Sequence, residues 1–165
     1  MKNKLYVMIG CPGSGKSTYA KKYLVNDDTV YVSRDEIRFA LLQDGETYFA
    51  REKEVYREFI WKIYNAIQNE HKNVIADATH LNEKSRAKLF SALPIDFTKI
   101  DVIGIYMNTP LEICLKQNEI RKGTKAYVPP SQVRRMFFSI QKPTYDECNG
   151  TFSELFNVNY IKEET

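Results

Sequence analysis

The sequence has few cysteines and no long apolar run. Cys11, Cys114 and Cys148 are odd in number, widely spaced and without His or Cys neighbours at ligand spacing, which fits reduced, inert cytosolic thiols rather than a disulfide scaffold. No apolar stretch is long enough to span a bilayer, so no membrane helix is expected. The basic start, Met1-Lys2-Asn3-Lys4, leads through a short apolar stretch into a glycine-rich loop, without the apolar segment and small-residue cleavage site of a secretory leader. Export is therefore not expected, and the chain reads as cytoplasmic. No internal repeat and no Ser/Gly/Pro-rich linker divides it.

What is present is the material of one folded domain spanning residues 1–165, with 43% hydrophobic and 27% charged residues. The formal charge of +3 is small but uneven. Between Lys116 and Arg135 six basic residues face one acid, a local balance of +5, so the remainder carries 3 − 5 = −2. Apolar runs of strand length alternate with segments of helical period, the pattern of an α/β fold with a central parallel sheet. Strands are expected at Leu5–Ile9, Thr29–Val32, Val74–Ala76 and Val102–Tyr106, with a fifth at Leu155–Ile161. Two capping-box spacings, Ser33-Arg34-Asp35-Glu36 and Thr109-Pro110-Leu111-Glu112, predict helix starts, the second with proline at the first helical position. A long amphipathic helix is read from Val55, Tyr56, Phe59, Ile60, Ile63, Tyr64 and Ile67.

Gly10-Cys11-Pro12-Gly13-Ser14-Gly15-Lys16-Ser17 matches the phosphate-loop pattern G-x-x-x-x-G-K-[ST] between an expected strand and an expected helix. Backbone N–H groups must turn inward there to cradle phosphate oxygens, and the following helix adds its positive end. Lys16 offers a mobile charge to the β- and γ-phosphates, and the Ser17 hydroxyl is a hard ligand for Mg²⁺. Gly10, Gly13, Ser14, Gly15, Lys16, Ser17 and Thr18 are thus the candidate nucleotide-binding residues. The loop does not by itself define a reaction.

Three further segments supply candidates. Asp35 lies in the first turn after the second strand, where a carboxylate can accept the proton of an acceptor hydroxyl. Arg38 shares its helix face, so the pair is either a base beside a fork for a second phosphate or a surface i,i+3 ion pair. Asp77 ends the third strand and is either a carboxylate for Mg²⁺ or a capping aspartate. His80, in the loop beyond, has no second ligand nearby and reads as a hydrogen-bonding residue, while His71 reads as solvated. The basic segment is either a solvated face or a lid at about residues 118–130. In the second case Arg121 is the candidate to meet the transferring phosphoryl group and to touch the nucleotide.

Taken together, Gly10–Thr18, the Asp35-x-x-Arg38 pair, Asp77-Ala78-Thr79-His80-Leu81-Asn82 and Asn118-x-x-Arg121 with Gly123-Thr124-Lys125-Ala126 resemble the kinase domain of phage-type 5′-hydroxyl polynucleotide kinases. The resemblance runs from Lys4 to about Met136. It implies a P-loop NTPase three-layer fold, with four to five parallel strands in the order 2-3-1-4-5 and the phosphate-loop strand central. It implies ATP and Mg²⁺ as cofactors and nucleic acid 5′-OH ends as substrate, with a separate ligase or phosphatase as functional partner. Asp35 is then the general base, Arg38 contacts the acceptor's 3′-phosphate, Lys16 and Arg121 act on the transferring phosphoryl, and Ser17 holds the metal. Asp77 departs by one residue from the phage-type position, and an extra residue lies between Arg121 and Gly123, which leaves Lys122 as a rival for the lid role; no D-x-D-x-[TV] phosphatase motif is present, so no phosphatase activity is expected. The alternatives are a P-loop kinase of a nucleoside, sugar or antibiotic, and a non-catalytic nucleotide-binding module.

Overall fold

The computed structural model describes residues 1–162. Five strands, β1 (Asn3–Ile9), β2 (Thr29–Ser33), β3 (Asn73–Asp77), β4 (Ile100–Asn108) and β5 (Glu154–Asn159), pair in parallel in the order β2-β3-β1-β4-β5. The expected order 2-3-1-4-5 is met with all five strands, and β1 lies at the centre. Between them run α1 (Lys16–Tyr23), α2 (Arg34–Leu41), α3 (Glu52–Gln68), α4 (Glu83–Ala92), α5 (Leu111–Ile120) and α6 (Pro130–Phe138).

Alternation along β1 divides the core. Leu5, Val7 and Ile9 pack with Val55, Phe59 and Ile63 of α3, whereas Met8 joins Ile75, Ile103, Ile105 and Ala20 of α1. A parallel sheet covered on both faces leaves only the ends of its strands open. A third apolar cluster lies beyond those ends, where Cys11 and Leu81 in the loops after β1 and β3 meet Cys114, Val128 and Val133. It holds the phosphate loop against α5 and α6.

Two local expectations give way to tertiary contacts. Ser33 caps α2, accepting from the Glu36 backbone N–H at 3.2 Å, but Glu36 does not reach back; its carboxylate lies 3.6 Å from Lys21. Thr109 does not cap α5, which starts at Leu111 with Pro110 in the cap position. The Thr109 hydroxyl instead donates to the Ser14 carbonyl at 2.8 Å, tying the phosphate loop to the end of β4. The box that does form is Asn82 with Ser85 at the start of α4. In this same layer the buried Arg86 guanidinium donates to Glu147 at 2.6 and 2.9 Å and to the His80 carbonyl at 2.8 Å, fixing the loop after β3 from behind.

Candidate active site

Gly13 and Gly15 show why the phosphate loop needs glycine. Gly13 has φ +81°, and a Cβ there would meet the Cys114 carbonyl oxygen at 2.3 Å; Gly15, with φ +92°, turns the chain into α1. No acidic residue stands in the first turn of α1, so the positive helix end is left for an anion. Lys16 donates to the Cys11 carbonyl at 3.2 Å, folded back over the loop it would leave to meet phosphate. Gly13, Gly15, Lys16 and Ser17 line one cleft together with Asp35, Arg38, Asp77 and Arg121. Gly10 and Ser14 are buried behind it, and Thr18 is exposed outside its lining.

Asp77 is buried at the end of β3 and caps no helix. Its Oδ2 accepts the Ser17 hydroxyl at 2.7 Å and also the Tyr31 hydroxyl. Burial and the Asp77 charge push the Tyr31 hydroxyl above the ordinary tyrosine range, so it remains a donor. A serine hydroxyl on a buried carboxylate beside a phosphate loop is a donor set of hard oxygens, which fits Mg²⁺.

Asp35 and Arg38 form the i,i+3 ion pair, on the wall of the cleft. Arg38 Nη1 contacts Asp35 Oδ1, and both residues line the cleft, with Asp35 half-exposed and Arg38 buried. Sequence reasoning missed the residues that fix this pair. Glu52 accepts from Arg38 Nε at 2.8 Å and Nη2 at 2.6 Å, and from Arg34 Nη2 at 2.8 Å. Tyr48 donates to Asp35 Oδ1 at 2.6 Å and accepts from Arg38 Nη1 at 2.8 Å, while the guanidinium lies 4.2 Å over its ring. Burial and the Asp35 charge hold the Tyr48 hydroxyl protonated, its pKa raised. Both contacts fall on Oδ1; Oδ2 makes no hydrogen bond among the described residues.

Only part of the basic segment faces the cleft. Of its six cations Arg121 alone lines the cleft, and Lys125 lines a neighbouring groove. Lys116, Arg134 and Arg135 are exposed, and Lys122 turns out to Glu119 at 3.4 Å. Of the two readings of the segment, the solvated face holds for most of its cations. Asn118 closes the segment, its side-chain amide donating to the Val128 carbonyl at 2.6 Å and accepting the Val128 N–H at 3.0 Å. This clasp holds the turn that carries Arg121.

His80 is buried at φ +44° with Nδ1 2.8 Å from the Met8 carbonyl, which fixes Nδ1 as the protonated nitrogen. His71 is exposed, as expected. Burial lowers the His80 pKa from 6.5 to about 4. A depressed folded pKa gives stability that is present above pH 6.5 and lost as the pH falls toward 4, amounting to roughly 3 kcal/mol. His80→Asn, which tolerates the left-handed φ and keeps a donor for Met8, is expected to flatten this acid limb in denaturant titrations from pH 7.5 to 4. A variant curve parallel to that of the wild type would show that His80 does not carry the effect.

Comparison with known proteins is consistent with this geometry at the level of fold. The AAA domain model matches residues 5–143. Among solved structures, the chain is similar to one in the Pnkp1/Rnl/Hen1 RNA repair complex, with a TM-score of 0.69 and 24% identity over 84% of this chain and 44% of that one. It is also similar to a sugar kinase from Janibacter sp. HTCC2649, with a TM-score of 0.62 and 20% identity, covering 96% of this chain and 86% of that one. A gluconokinase from Sinorhizobium meliloti 1021 matches with a TM-score of 0.59 and 14% identity, covering 94% and 82%. The chain spans less than half the length of the RNA-repair chain that it matches. No helix among the described residues is long and apolar enough to cross a membrane.

Proposed function

Because the chain belongs to the AAA domain family and has the P-loop kinase fold, which implies ATP binding, we propose that it transfers the γ-phosphate of ATP to the 5′-hydroxyl end of RNA or DNA. The observation that carries this reading is the acceptor wall. Beside Asp35 the cleft is lined by two arginines, Arg34 and Arg38, and two aromatic rings, Tyr48 and Phe49. Cations and flat apolar rings suit an acceptor bearing phosphate and base.

In this reading the phosphate loop holds the triphosphate and Lys16 leaves the Cys11 carbonyl for the β- and γ-phosphates. Ser17 and Asp77 would hold Mg²⁺, which when bound neutralises charge on the phosphate oxygens. Asp35 takes the acceptor hydroxyl proton on Oδ2, while Arg38 and Tyr48 hold Oδ1 in place. Arg38 also meets the acceptor's 3′-phosphate, and Arg121 meets the charge spread over the transferring phosphoryl oxygens. A separate ligase or phosphatase is the partner that a 5′-phosphate product implies.

A second reading, a small-molecule kinase, is favoured by Glu52, whose carboxylate occupies Arg38 Nε and Nη2 and offsets its charge. The two readings part on the smallest acceptors. With γ-labelled ATP, a nucleoside 3′-monophosphate should be phosphorylated well and the same nucleoside poorly. Equal use of the two would remove the phosphate contact assigned to Arg38.

A further inference from the structure

Phe49 stands in the segment joining α2 to α3, is 54% exposed and yet lines the cleft that holds Asp35 and Lys16. Its orientation is set by a fixed neighbour. Tyr48 is pinned at its hydroxyl by Asp35 and on its face by Arg38, and Phe49 meets its ring at 84° with centroids 4.7 Å apart. The Arg38 guanidinium lies 5.9 Å from the Phe49 centroid. A large apolar ring, half in solvent and facing a polar cleft, gains from being covered by another flat surface.

From this geometry we infer that Phe49 is the stacking platform for the base of the acceptor's 5′-terminal nucleotide. The inference rests on the polynucleotide-kinase reading and names what the acceptor must carry. The reacting oxygen of such an acceptor is on the carbon attached to the furanose that bears the base. When that oxygen meets Asp35, the base is presented to the same wall, two side chains along from the carboxylate through Tyr48. Stacking uses the face that every base has, so the platform selects base-bearing ends over plain sugars without choosing among bases.

The test is a cycle between the ring and the base it would hold. Steady-state transfer is measured on a 5′-OH oligonucleotide and on the same oligonucleotide with an abasic 5′-terminal residue, using wild type, Phe49→Ala, Phe49→Trp and Trp61→Ala. Trp61 is 56% exposed on α3 outside the cleft lining and serves as the control for loss of an exposed aromatic. Phe49→Ala should raise the oligonucleotide KM about 5- to 150-fold with the KM for ATP unmoved. Phe49→Trp should restore it, and Trp61→Ala should leave it unchanged. On the abasic acceptor wild type should already show the raised KM, and Phe49→Ala should add little. An unchanged KM in Phe49→Ala, or an equal penalty on both acceptors, overturns the platform while leaving the kinase reading standing. Absence of transfer to either oligonucleotide by wild type, with label on a small molecule, overturns both.

Discussion

Asp35→Ala is expected to lower turnover by about 10²–10⁴-fold, the usual contribution of a positioned general base, while ATP binding is kept. The separation follows from where the residue sits. Asp35 lies in the first turn of α2, apart in the chain from the phosphate loop that follows β1, and none of its hydrogen bonds reaches the loop. Its partners are Arg38 and Tyr48, so the substitution removes an acceptor for two donors without disturbing Lys16 or Ser17. Single-turnover rates give the loss, and calorimetric ATP titration gives the binding. A variant that turns over at the wild-type rate shows that Asp35 is not the base. Asp35→Asn sharpens the test, because it preserves shape and an oxygen for Tyr48 but cannot take a proton; it should be nearly as slow as Asp35→Ala.

Arg121→Ala should cost about 10³-fold or more in the transfer step, the scale of an arginine that meets the transferring phosphoryl, whereas Lys122→Ala should stay near wild type. The sequence alone leaves these neighbours as rivals. In the fold Arg121 lines the cleft, while the Lys122 ammonium turns to solvent and pairs with Glu119 at 3.4 Å. Such an exposed i,i+3 pair contributes little to anything. The Asn118 clasp on Val128 keeps the turn in place in both variants, so a difference between them reports the side chains and not the loop. Pre-steady-state rates for both variants decide it. A larger loss in Lys122→Ala than in Arg121→Ala would reverse the assignment.

The readable parts of this molecule are those written in contiguous residues. β1, the phosphate loop and α1 follow from Leu5–Tyr23, and the parallel sheet follows from the alternation of short apolar runs with helical segments, whereas the strand order is what the family resemblance implies. The Asp35–Arg38 contact is visible because three residues on a helix bring side chains together. The fixing shell is not visible. Glu52 and Tyr48 reach Arg38 and Asp35 from 14 and 13 residues away across the α2–α3 turn, and Thr109 reaches Ser14 from 95 residues away. Parallel crossovers bring such positions to one end of the sheet without any spacing that marks them. The same crossovers defeat the local capping rule at Thr109, whose hydroxyl has a buried carbonyl to satisfy that outweighs the first turn of α5. The basic segment stays ambiguous in sequence for a related reason: a run of cations along the chain carries no record of which one faces inward.

The most direct measurement is label transfer from γ-labelled ATP with Mg²⁺ to an acceptor panel of 5′-OH RNA and DNA oligonucleotides, free nucleosides, and sugars including gluconate. The account predicts label on the 5′ ends of the oligonucleotides, lost in Asp35→Ala, and far less on nucleosides or sugars. Label on a sugar or nucleoside with none on any oligonucleotide would contradict it.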